Sequence, residues 1–139
     1  MCGVKTKTGE LASKALAALA VSLVSIRVAF WARRLPIHEL PARLRRVSTL
    51  PPPLRSPARF AWACRRFAGQ LPPSDYGRCL RQSLLLVDLM ARCGIETTLH
   101  CGVRKTGERL EGHAWVSVPD GGGFEQEAVP ADFREIWAA

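Results

Sequence analysis

Apolar positions fall into two regimes along the chain. Up to about residue 94 they recur with helical spacing or fill whole segments; after it they alternate. Residues 10–34 are dense in Ala and Leu and predict a helix, with Arg33 and Arg34 placed to complement its C-terminal dipole. Pro36 and Pro41 punctuate the next stretch, and residues 39–48 predict a short basic helix starting near Pro41. Pro51-Pro52-Pro53 cannot be helix interior and reads as a stiff connector. Residues 56–69 carry a further helix, with Ser56 as N-cap, Pro57 at its first position and Gly69 past its end. Phe60, Cys64 and Phe67 share one face of it.

From Leu80 to Met90 almost every position except Arg81, Gln82, Ser83 and Asp88 is apolar. A helix apolar on most sides is a buried one. Cys79 opens it, and Gly94 can supply a left-handed cap at its end. The period then switches to two. Residues 96–103 and 113–118 predict strands, joined by a polar loop containing Gly107, and 119–123 (PDGGG) predict a turn. Residues 124–128 predict a third strand and 130–137 a short closing helix. The expected fold is α+β: N-terminal helices, then a buried helix on a small antiparallel β-meander. A helical, basic extension is expected over 1–55 and the core over 56–139.

Charge divides the chain at about the same place. Residues 1–75 carry 13 Lys and Arg against 3 Asp and Glu, a balance of +10; residues 76–139 carry 7 against 9, a balance of −2. The first half therefore invites an anionic partner or is simply a solvated basic face. It has neither helix-turn-helix spacing nor an aromatic stacking platform, so nucleic acid is not expected. The uncharged run between Lys14 and Arg27 is 12 residues, short of the ~20 that span a bilayer, which leaves a packed helix in peripheral contact with a membrane at most. Five cysteines, an odd number, without a secretory leader point to free thiols and a cytoplasmic location. They make no CxxC pair and no metal-ligand pattern with His38, His100 and His113, so neither metal nor cofactor is expected.

Cys79 is where chemistry fits. The unpaired N–H groups and positive dipole end of a helix N-terminus favour thiolate and can also donate to an oxyanion. Arg78 and Arg81 add positive charge. The bland alternative is a structural cysteine. On the 113–118 strand, His113, Trp115 and Ser117 share one face and Ala114, Val116 and Val118 the other. With the aliphatic set in the core, His113 is expected to face the helix end that carries Cys79. His100 is the competing histidine, but its strand partners Thr98 and Gly102 are expected to give it no aromatic wall. A catalytic histidine needs a third group to hold its ring. Hairpin parity puts Glu127 diagonal to His113, with Glu125 next and Asp120 in the turn a weaker alternative.

CLRQSLLLVDLMARCGIETTLHCGV followed by GHAWVSVPDGG resembles, within the transglutaminase/papain-like superfamily, the stand-alone B proteins of lasso peptide biosynthesis. The resemblance covers about residues 56–135. The third-strand acid is often Asp in that family, whereas Glu127 stands here, and the turn is longer than usual. It implies a cysteine peptidase, with Cys79 as nucleophile, His113 as base and then acid, and Glu127 orienting it. Its expected substrate is a ribosomally made precursor peptide, cleaved between leader and core to free the core N-terminus for macrolactam closure. Implied partners are a separate leader-recognition protein and an ATP-dependent lasso cyclase. The rival expectations are a transglutaminase-like amidase or acyltransferase, and a non-enzymatic basic adaptor for nucleic acid or membrane.

Overall fold

A computed structural model describes residues 7–70, 76–119 and 132–139. Four helices precede a three-stranded antiparallel sheet, an α+β arrangement as the switch in period implied. The helices are α1 (Lys7–Ala32), α2 (Leu40–Arg45), α3 (Pro57–Phe67) and α4 (Arg78–Arg92); the strands are β1 (Thr98–Thr106), β2 (Arg109–Ser117) and β3 (Arg134–Ala138).

Helix α4 sits at the centre. Leu84, Leu85, Val87, Leu89 and Met90 are inaccessible to solvent and pack against α1, α2, α3 and the sheet. Its C-terminus closes as the sequence implied. Gly94 takes φ +76°, its N–H donates to the Ala91 carbonyl, and the Ile95 N–H reaches back to Met90 at 2.9 Å. That pair of bonds is a Schellman motif, which satisfies carbonyls the helix end would otherwise orphan. Helix α3 begins at Pro57 and buries Phe60 and Cys64; a 3₁₀ turn over Ala68–Gln70 continues it past the expected stop.

One polar cluster lies within this apolar packing. The Asp88 carboxylate on α4 is fully buried and accepts hydrogen bonds from Arg27 of α1 and, at 2.6 Å, from Arg92. Arg27 also donates to the carbonyls of Arg43 and Leu44, so one guanidinium joins α1, α2 and α4. Burying a charge is costly unless it is paired and hydrogen-bonded, and here both conditions hold. Ala17, Val21, Val24 and Val28 of α1 belong to the same core as α3 and α4. The opposite side of α1 exposes Leu16, Leu19, Leu23, Ile26 and Phe30, spaced alternately by three and four residues. By length and composition alone α1 could cross a membrane, because the helix runs on unbroken through Lys14 and Arg27.

The β1–β2 hairpin extends further than the apolar alternation did. Thr106 pairs with Arg109 across a two-residue turn in which Gly107 adopts φ +61°. Tight turns of this length lock register, and the ladder then carries polar residues along with it. The closing segment corrects the expectation of a helix over 130–137: Arg134–Ala138 is a strand on the free edge of β1. Ile136 and Trp137 suit a pleated surface, and a vacant sheet edge outweighs a weak helical preference. The sheet order is β2-β1-β3, and the expected strand at 124–128 lies outside the described residues.

Candidate active site

Strand alternation sorts the sheet into two chemically different faces. Leu99, Cys101, Ala114 and Val116 join the core beneath α4. His100, Gly102 and Arg104 of β1 project the other way together with Glu111, His113, Trp115 and Ser117 of β2, because His100 pairs with Trp115 and Gly102 with His113. The aliphatic half of that assignment matches the parity read from 113–118.

Cys79 is the second residue of α4. Gly77 precedes the helix without any side-chain cap, so no capping side chain competes for the N–H groups of its first turn. The thiol is half-buried and packs against the core. Its sulfur lies close enough to Cys101 to matter electrostatically: burial, and then the neighbouring Cys79, push the Cys101 thiol above its ordinary range. Cys64 is sealed in the core, and burial raises its thiol to about 12. Cys93 is also raised by burial. Among the described cysteines, Cys79 is the one at a helix N-terminus, with Arg78 and Arg81 beside it in the sequence.

His113 lies on the polar face near the middle of β2. Its ring stacks on Trp115 with centroids 6.0 Å apart and tilts against Phe133 at 5.2 Å. The Arg104 guanidinium lies over the Phe133 ring at 4.6 Å and is held by Glu111 at 2.8 Å and Asp132 at 3.1 Å. The expectation that the His113 face looks toward α4 needs correcting, because α4 packs on the Cys101–Ala114 side. Glu127, Glu125 and Asp120 lie outside the described residues.

His100 has the aromatic wall that its own strand lacks. It comes from across the ladder: the Trp115 indole stacks on the imidazole at 5.4 Å and 6°. Its Nδ1 meets Glu135 Oε2 at 2.5 Å and its Nε2 meets Ser117 Oγ at 2.6 Å. Neither partner is evident from the sequence, since Glu135 falls in a segment expected to be helical. A β-bulge explains the geometry. Trp137 pairs with Cys101 but Glu135 pairs with Gly102, leaving Ile136 as the extra residue. The bulge turns Trp137 to the core and Glu135 to the polar face. Among the described residues no cluster of His, Cys, Asp and Glu could hold a metal ion.

A family model described as the transglutaminase-like superfamily matches residues 22–138, from within α1 to the end of β3. No curated protein and no solved structure matches the chain. Members of that superfamily are typically cysteine-based enzymes.

Proposed function

The chain belongs to the transglutaminase-like superfamily, and from that premise we propose that it is a cysteine peptidase removing the leader from a lasso peptide precursor. The observation that carries this reading is Cys79, a half-buried thiol in the uncapped first turn of the central helix, where the family would place its nucleophile. The thiolate attacks the carbonyl carbon at the leader–core junction. The first-turn N–H groups stabilise the oxyanion, the acyl-enzyme forms as the core amine leaves, and water then releases the leader. His113 takes the thiol proton and delivers it to the leaving amine, with Glu127 steadying its ring. This role requires the Cys79 thiol and the His113 ring to come within hydrogen-bond reach of each other when peptide binds.

The partners follow from the same reading: a precursor peptide, a separate leader-recognition protein and an ATP-dependent cyclase that uses the freed amine, all in the cytoplasm. Residues 7–70 contain helices and no strand, which supports assigning leader binding to another protein. The exposed Leu16–Phe30 stripe on α1 and the basic first half supply an apolar and a cationic surface for docking that protein or the cyclase. Peripheral contact of α1 with a membrane is a lesser use of the same stripe. The test is incubation with a leader-bearing precursor and the leader-binding partner, followed by mass spectrometry. Cleavage at the junction is expected; an intact precursor would sink the peptidase reading. Transfer of the acyl group to an added amine instead of water would favour an acyltransferase.

A further inference from the structure

We propose that Ser117, His100 and Glu135 form a second acyl-transfer site, distinct from the cysteine, that takes small activated esters. Three observations carry it. The Glu135 carboxylate contacts His100 Nδ1 at 2.5 Å, His100 Nε2 contacts Ser117 Oγ at 2.6 Å, and the Trp115 indole lies flat against the imidazole. An acid on one ring nitrogen and a hydroxyl on the other is the relay by which a weak nucleophile is activated. The acid selects the tautomer whose Nδ1 carries the proton, leaving Nε2 free to accept from the serine.

Construction of the site argues against a chance contact. Each residue comes from a different strand, and only the bulge at Ile136 brings Glu135 to this face. His100 is 17% exposed, so it is held yet reachable, and Glu135 at 48% is open to solvent. Gly102 lets the Trp115 ring lie close over β1: a Cβ there would stand 2.9 Å from that ring. In the reaction Ser117 Oγ bonds to the acyl carbon as its proton passes to His100. The carbonyl pair moves onto oxygen and returns as the ester C–O bond breaks, and the alcohol leaves with the proton. Water repeats the sequence, so ester and water become acid and alcohol with nothing else consumed.

The site can be read without the cysteine. The full chain is treated with diisopropyl fluorophosphate, which transfers its phosphoryl group to an activated serine with loss of fluoride, and is then digested with trypsin. Ser117 is the one hydroxyl in the peptide spanning residues 110–134, while Cys79 opens the peptide 79–81. The adduct is expected on Ser117, located by fragment ions that exclude His113. The rate should fall about a hundredfold or more in His100→Gln, the loss of a general base, with a smaller loss in Glu135→Gln; far-UV circular dichroism checks each fold. An unlabelled Ser117 in the folded wild type, or labelling at an unchanged rate in His100→Gln, would overturn the proposal. Precursor cleavage is scored separately, so either reading can fail while the other stands.

Discussion

Replacing Asp88 by Ala tests the packing that holds α4, and with it Cys79, in place. The carboxylate is fully buried, while the Arg27 and Arg92 side chains are 24% and 27% exposed. Removing the acid leaves two guanidiniums side by side without a counter-charge. Loss of one partner from a buried pair costs about 3–5 kcal/mol; because both cations can reach water, the lower end applies. At about 3–5 °C per kcal/mol for a chain of this size, a loss of about 3 kcal/mol should lower the melting temperature by about 9–15 °C. Asp88→Asn, which keeps the shape and loses the charge, should cost about 1.5–3 kcal/mol. Urea denaturation followed by circular dichroism measures both. The double variant Arg27→Met with Asp88→Leu should be less destabilised than the sum of its parts, since an apolar pair replaces the charged one. An Asp88→Ala protein within about 1 kcal/mol of wild type would refute the assignment of this cluster as the tie between α1, α2 and α4.

Other outcomes rest on named contacts. His113→Ala should lower precursor cleavage by about 10²–10⁴-fold while leaving the fold intact, as expected for loss of a general base; steady-state kinetics measures it. Iodoacetamide should alkylate Cys79 well before Cys64, read by peptide mapping, because the Cys64 thiol is sealed and raised to about 12. That same shift sets a pH dependence. A raised thiol stabilises the fold fully below the unfolded value and loses that contribution as pH climbs toward about 12. Stability should therefore decline by up to about 1.4 kcal/mol per pH unit above roughly 9, and Cys64→Ala should flatten the slope. Gly102→Ala should cost about 1–3 kcal/mol by overpacking and disturb near-ultraviolet dichroism, since its Cβ would press on Trp115 and the Arg134 carbonyl.

Much of this architecture is legible in the sequence because its causes are local. The buried helix shows in its near-continuous apolar run, its end in Gly94, and the two sheet faces in the alternation of residues 113–118. What cannot be read there depends on pairing between distant segments. Nothing near Glu135 announces that it will meet a histidine 35 residues earlier; a vacant edge on β1 and a bulge at Ile136 decide it. The wall beside His100 likewise belongs to another strand. The side that α4 covers is within reach, because an apolar helix packs on the aliphatic face of the sheet, the one that carries Ala114 and Val116.

One sulfur carries the proposed chemistry. Reconstituted cleavage of a leader-bearing precursor, with the leader-recognition partner present, should be measured for wild type and for folded Cys79→Ala. Release of leader and core by wild type, with the precursor left intact by the alanine variant, is the predicted result. Cleavage by Cys79→Ala at the wild-type rate would contradict it.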